Sequence, residues 1–143
     1  MKINTNLILK RFNKLDNLIQ KLEDLKQKDK NEFISNYLFY LSAQRALETC
    51  INICIDIGNH ILSLNKIKPE TYSSIFKELA KKEIINEELM EKLIKMVKFR
   101  NLLGHFYMEV NNEIVYDILQ NDLGDFIEFK KQIILKFKEQ LEE

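Results

Sequence analysis

Three features of the sequence predict an all-α fold, a bundle of about five helices. The 143 residues include only three glycines and one proline, whereas strands joined by tight turns need more of both. Apolar residues recur at alternating spacings of three and four, which is the period of a helix with one buried face. Hydrophobic residues make up 45% of the chain and charged residues 31%, a balance typical of a globular protein with one core. We therefore expect residues 1–143 to form a single domain.

The first helix is expected over about residues 4–28, followed by a charged connection over residues 26–32. Polar residues separate the apolar positions of this helix, so that only one of its faces is suited to burial. The apolar stripe consists of Ile8, Phe12, Leu15, Ile19 and Leu22.

A long second helix is indicated by the segment from Asn31 to Asn65, which contains no lysine although lysine recurs at short intervals elsewhere. One stripe of this helix consists of Tyr37, Leu41, Gln44, Glu48, Ile51, Ile55, Gly58 and Leu62, and beside it runs a polar line of Arg45, Thr49, Asn52, Asp56 and Asn59. A helix that is apolar nearly all round suits a central position, covered by its own chain and by a second subunit. We therefore expect a homodimer.

Four polar or sulfur-containing side chains in this helix are assigned structural roles. Cys50 and Cys54 have no further cysteine or histidine at zinc-ligand spacing, so we expect two buried free thiols. Asp56 and His60 lie inside the predicted helix, where a polar residue usually makes a hydrogen bond.

Three further helical regions complete the predicted bundle. Pro69 suits the start of a short third helix that ends near Ala80. Asn86 is a good N-cap for a fourth helix because two glutamates follow it. A turn at residues 111–112 precedes a last helical region, kinked at Gly124. The residues of this region expected to face inward are Ile118, Phe126, Phe129, Ile133 and Phe137.

The charge balance and the hydropathy pattern restrict the partners of the chain. With 22 basic and 22 acidic residues the formal net charge is zero, which argues against a broad basic nucleic-acid surface but allows a small local site. No apolar run approaches the about 18 residues that a bilayer requires, and charged and amide residues interrupt the start of the chain where a signal peptide needs an apolar segment. We expect a cytoplasmic protein without a membrane partner.

A polar cluster follows the apolar part of the fourth helix. Up to Val97 its two inward stripes are plain core residues, and the same stripes then present Arg100, Asn101, His105 and Tyr107. Arginine can hold a phosphate through two hydrogen bonds and offset the charge of a transition state, and histidine can transfer protons at physiological pH. These groups suit cleavage of an RNA phosphodiester, with the 2′-hydroxyl as nucleophile. No metal and no cofactor are implied, because the nearby glutamates lack ligand-like spacing with the histidine.

The run from Arg100 to Tyr107 resembles the R-x-x-x-x-H-x-Y motif of the HepT-like toxins, a branch of the HEPN ribonuclease superfamily. Residues 56–61, 68–72 and 113–119 are also similar to family patterns, and the resemblance spans essentially residues 33–137. It implies a HEPN-type helical homodimer whose two motifs face each other across a polar cleft and which cleaves RNA without a metal.

The resemblance also implies roles for individual residues. Arg100 and His105 map onto the residues taken as catalytic, and Asn101 would support them. Tyr107 maps onto a tyrosine that a cognate antitoxin, an MntA-like nucleotidyltransferase, modifies with AMP to silence the toxin. An adenylate beside a phosphate-binding arginine would block the cleft by its bulk and its negative charge.

Two other interpretations fit the same residues. In the first, the chain is a non-catalytic HEPN helical module that docks a nucleotidyltransferase partner or a nucleotide. Gly104 favours this alternative, because family members often have a β-branched apolar residue before the histidine. In the second, the chain is a plain helical bundle in which Arg100 forms an ion pair with Glu48 or Asp56.

Overall fold

The computed structural model of the chain describes residues 2–103 and 110–141, and all regular structure within these ranges is helical. The helices in this part of the chain are α1 (Thr5–Lys26), α2 (Lys30–Ser35), α3 (Tyr37–Leu64), α4 (Tyr72–Lys81), α5 (Glu87–Leu103), α6 (Asn112–Asn121), α7 (Gly124–Lys136) and α8 (Lys138–Leu141). The predicted all-α class is confirmed.

Two of the predicted helices are divided in the structure. At Asn36 the backbone is extended, with φ −105° and ψ 107°, and the Asn36 side chain accepts a hydrogen bond from the N–H of Leu38 at 3.0 Å. This cap separates α2 from α3. The kink predicted at Gly124 is a break between α6 and α7, because Asp122 has φ −119° and ψ 0° and ends α6. The segment predicted as a charged connection contains the first residues of α2.

Helix α3 is the central helix of the bundle, since it packs against α1, α2, α4, α5, α6 and α7. From Cys50 to Leu62 it is buried on most sides, as its lack of lysine predicts. Gly58 lets α4 approach closely, because a Cβ atom at this position would lie 2.7 Å from Cγ2 of Ile75. Cys50 and Cys54 are free and buried, which confirms the prediction of core thiols. Burial raises the pKa of Cys50 to about 12 and also raises the pKa of Cys54.

The start of α5 and the inward faces of α1 and α7 agree with the sequence patterns. Asn86 Oδ1 accepts a hydrogen bond from the N–H of Leu89 at 2.8 Å, so the predicted N-cap is confirmed. The predicted stripe of α1 is buried throughout, and so are Ile118 of α6, the predicted inward residues of α7 and Phe137 after it. None of the helices described is long and apolar enough to cross a membrane.

Candidate functional site

A polar cleft of about 750 Å³ lies between the polar line of α3, the start of α4 and the end of α5. Its walls consist of Asn52, Ile55, Asp56, Asn59, Pro69, Glu70, Thr71, Tyr72, Ser73, Ile75, Val97, Arg100 and Asn101. Six of the nine polar side chains are amides or hydroxyls, which can donate and accept hydrogen bonds without a net charge. Such a lining suits a ligand with sugar hydroxyls and ring nitrogen or carbonyl groups.

Two neighbours hold the Arg100 side chain in this cleft. The Arg100 Nε donates a hydrogen bond to Asn52 Oδ1 at 2.9 Å, and the Arg100 Cζ lies 5.1 Å from the centroid of the Tyr72 ring, a distance typical of a cation–π contact. Arg100 is half-buried. It forms no ion pair with any carboxylate in the described part of the chain. Its hydrogen bond to Asn52 uses Nε and not the terminal amino groups.

The carboxylates expected to pair with Arg100 in a plain helical bundle have other partners. Glu48 lies 2.6 Å from Nη1 of Arg45. Asp56 contacts Nε of Arg11 at 3.9 Å and is well exposed. The structure therefore contradicts the two ion pairs, Arg100 with Glu48 and Arg100 with Asp56, on which that interpretation depends.

Polar side chains along the second predicted helix differ in their roles. His60 Nε2 accepts a hydrogen bond from the N–H of Asn4 at 3.1 Å, which ties the N-terminal segment to α3. The structural interpretation of His60 is thus confirmed. Asp56 has the loose ion contact with Arg11 but also lines the cleft, so it contributes negative charge beside Arg100.

The structure places only part of the predicted site. Arg100 and Asn101 line the same cleft, and Asn101 is exposed. His105 and Tyr107 belong to residues 104–109, which lie outside the described residues, as does Gly104. The predicted meeting of Arg100, His105 and Tyr107 therefore stays a prediction.

The two partners of Arg100, Asn52 and Tyr72, were not predicted as site residues. Asn52 belongs to the polar line of the lysine-free helix, and that line was the signal that pointed to it. Tyr72 ends the run of residues 68–72 that resembles a family pattern, but a single tyrosine at the start of a helix is compatible with many surfaces and was not assigned to the site. Their common contact with Arg100 depends on how three helices pack together.

A family model described as ribonuclease HepT-like matches residues 15–133 of the chain. The chain belongs to this HepT-like family. The family predicted from the run between residues 100 and 107 is thereby confirmed.

Two relatives and one solved structure show what the chain is similar to. An mRNA nuclease HepT from Shewanella oneidensis is 34% identical over 102 residues, which cover 71% of this chain and 77% of that protein. A tRNA nuclease HepT from Aphanizomenon flos-aquae is 29% identical over 104 residues, or 72% of this chain and 71% of that protein. The solved structure is a tri-AMPylated HEPN toxin from Shewanella oneidensis in complex with MNT antitoxin. It superposes with a TM-score of 0.84 at 29% identity, and the match covers 90% of this chain and 97% of that one. The HEPN fold is thus confirmed.

Proposed function

We propose that this HepT-like chain is a metal-independent endoribonuclease toxin that cleaves RNA in the cleft around Arg100. The observation that carries the proposal is the Arg100 guanidinium, which is oriented by a neutral partner and forms no ion pair with a carboxylate of the described residues. A cation held in this way suits the phosphate of a bound strand. The relatives named mRNA nuclease and tRNA nuclease support RNA as the substrate class.

The proposed reaction uses groups of the RNA and of the protein only. The 2′-hydroxyl of the nucleotide before the cleaved bond loses its proton to His105 and attacks the adjacent phosphorus. The bond from phosphorus to the 5′-oxygen of the next nucleotide breaks, and that oxygen receives the proton from the imidazolium of His105, which thereby returns to its neutral form. The products carry a 2′,3′-cyclic phosphate and a 5′-hydroxyl. Arg100 offsets the charge that develops on the phosphate oxygens, and Asn101 helps to orient the groups of the site.

A second copy of the chain is part of the proposal. At the start of α3, the side chains of Tyr37, Leu38 and Leu41 share one face and are 60%, 61% and 51% exposed. A cluster of large apolar side chains on the surface is typical of a protein interface. We propose that this face is covered in a homodimer, which would bring two copies of the Arg100 cleft into one particle.

An MntA-like nucleotidyltransferase antitoxin is the proposed regulator. The similar Shewanella toxin is tri-AMPylated and was solved in complex with MNT antitoxin, which supports AMP transfer to Tyr107 in this chain. Each adenylate would add negative charge and bulk two residues after His105. The toxin and its regulator would act in the cytoplasm as a toxin–antitoxin pair.

Induced expression in bacterial cells tests the proposed activity. The wild-type chain expressed alone should arrest growth, whereas Arg100→Ala and His105→Ala should permit growth at the same protein level. Lys130→Ala is the matched control, because it removes one partly exposed cation that pairs with Asp16 at 2.7 Å outside the cleft and should stay toxic. Equal toxicity of Arg100→Ala, His105→Ala and the parent would contradict the proposal. Harmless expression of the wild type would favour the non-catalytic binding module.

Intact-mass spectrometry tests the proposed regulation. After co-expression with an MntA-like nucleotidyltransferase, the chain should gain about 329 Da per adenylate. Tyr107→Phe should lose this addition, whereas Tyr72→Phe should keep it. Addition of AMP to the Tyr107→Phe variant would assign the modification to another residue. An unmodified wild type would point to inhibition by simple occlusion of the cleft.

A further inference from the structure

Tyr72 is the first residue of α4 and one wall of the cleft, and 46% of its surface is exposed. Ile75 and Phe76, one turn later, are buried in the core. Tyr116 shows what a structural tyrosine does in this fold: its hydroxyl donates to Lys28 O at 3.0 Å and its ring packs against Phe33. Among the described residues, Arg100 is the one polar or aromatic partner of the Tyr72 side chain.

The backbone around Tyr72 is fixed before any ligand arrives. Thr71 and Ser74 form a reciprocal capping box: the N–H of Ser74 donates to Thr71 Oγ1 at 3.1 Å, and the N–H of Thr71 donates to Ser74 Oγ at 2.9 Å. The close approach of Gly58 to Ile75 seats the same helix on α3. The Tyr72 ring is therefore presented to the cleft by a rigid frame, which lowers the entropy cost of binding.

The surroundings of the ring indicate the class of group it can bind. An exposed aromatic ring can stack on a nucleobase, and every base has a face for such a contact. Beside Tyr72 lie the cation of Arg100, which suits a phosphate, and the amides of Asn52 and Asn101. A planar base next to a bound phosphate matches this arrangement better than an apolar peptide does.

We propose that Tyr72 stacks on the nucleobase that adjoins the phosphate held by Arg100. This inference rests on the proposed function and specifies its substrate as unpaired RNA, because a base inside a duplex cannot offer its face to a protein ring. Stacking tolerates every base, so Tyr72 selects for single-stranded segments and not for a sequence.

A binding measurement separates the base contact from the phosphate contact. The probes are a fluorescently labelled single-stranded RNA with 2′-O-methyl groups, which cannot be cleaved, and an abasic oligomer of the same length with the same phosphates. The wild-type chain should bind the RNA about tenfold more tightly than the abasic oligomer. Tyr72→Leu should abolish that preference by weakening RNA binding alone, and Tyr72→Phe, which keeps the ring, should preserve it. Arg100→Ala should weaken binding of both probes by the same factor.

The outcomes distinguish this inference from the proposed function. An unchanged preference for RNA over the abasic oligomer in a folded Tyr72→Leu variant overturns the stacking contact, and so does equal binding of both probes by the wild type. Melting temperatures of Tyr72→Leu and the wild type establish that the variant is folded. Because the probes cannot be cleaved, the result does not depend on activity: a chain that shows the preference but cleaves no RNA would refute the nuclease and retain Tyr72 as a base-binding residue.

Discussion

The Nε of Arg100 donates a hydrogen bond to the Oδ1 of Asn52 at 2.9 Å, joining residues that are 48 positions apart on α5 and α3. The partner is a neutral amide, so the bond orients the guanidinium and leaves its positive charge intact. It also leaves the fork of terminal amino groups free to receive two oxygens of a phosphate.

Replacing Asn52 by aspartate should impair the cleft by giving Arg100 a charged partner. We expect Asn52→Asp to weaken RNA binding. The slope of log Kd against log salt concentration should decrease in magnitude by about 0.7, which corresponds to the loss of one phosphate contact on a single strand. Asn17→Asp, the same change at an exposed position of α1, is the control and should leave the slope unchanged. Binding titrations of both variants at several salt concentrations measure the affinity for RNA and the slope. An unaltered slope in Asn52→Asp would show that Arg100 does not contact a phosphate.

Removing the Arg100 side chain should cost little stability. No described carboxylate would be left without its partner, so the loss comprises one half-buried hydrogen bond and one cation–π contact, together less than about 2 kcal/mol. Urea unfolding of Arg100→Ala and of the wild type gives the difference. A decrease of about 3–5 kcal/mol in the free energy of unfolding would instead indicate a buried ion pair.

A methyl group added at Gly58 should disturb the contact between α3 and α4. The new Cβ would lie 2.7 Å from Cγ2 of the buried Ile75 and 3.1 Å from Cδ1 of Leu79, so either these side chains or α4 itself must shift. We expect Gly58→Ala to lower the free energy of unfolding by about 1–3 kcal/mol. Gly124→Ala is the matched control, because its Cβ would meet no atom within 4 Å. Thermal unfolding measures the stability of both variants. Equal stabilities of Gly58→Ala and Gly124→Ala would contradict the close approach of α3 and α4.

The stability of the protein should fall at high pH because of its two buried thiols. Burial raises the pKa of Cys50 from 9.0 to about 12 and raises the pKa of Cys54. A thiol with a raised folded-state pKa contributes its full stability below the unfolded value and loses it as the pH rises towards the folded value. The window begins near pH 9, the ordinary pKa of an unburied cysteine thiol. Cys50→Ala/Cys54→Ala should flatten the decline seen in urea unfolding between pH 8 and pH 10.5. An equally steep decline in the double variant would be evidence against this linkage.

The same thiols should be unreactive in the folded protein. Nucleophilic attack on a thiol reagent requires the thiolate, which burial disfavours. We expect no labelling of Cys50 or Cys54 by an alkylating reagent at pH 8 in the native state and complete labelling in denaturant. Rapid labelling without denaturant, followed by mass spectrometry, would show that α3 opens or that the thiols are accessible.

Local signals in the sequence predicted much of the fold. The four-three spacing of α1 and the Asn86 cap of α5 depend on nearest neighbours along the chain, and both are present in the structure. The break at Asn36 was missed because an asparagine between two apolar runs can lie inside a helix or cap one. Only the extended backbone at that residue decides between the two.

The candidate site was predictable only in part. Arg100 stood out because it occupies a stripe that is apolar earlier in the helix. Its partners could not be predicted from spacing: Asn52 and Tyr72 reach it across two interfaces between helices, and such contacts depend on tertiary packing. His105 and Tyr107 were selected by the resemblance to a family and lie outside the described residues.

Cleavage of RNA by the purified chain, freed of any partner, tests the central claim most directly. Cellular RNA incubated with the wild type and chelator should yield fragments with 2′,3′-cyclic phosphate ends, identified by mass spectrometry. Arg100→Ala should slow cleavage at least about 100-fold, and Lys130→Ala should cleave like the wild type. Absence of cleavage by the wild type, or equal rates for Arg100→Ala and the wild type, would contradict a nuclease site at Arg100.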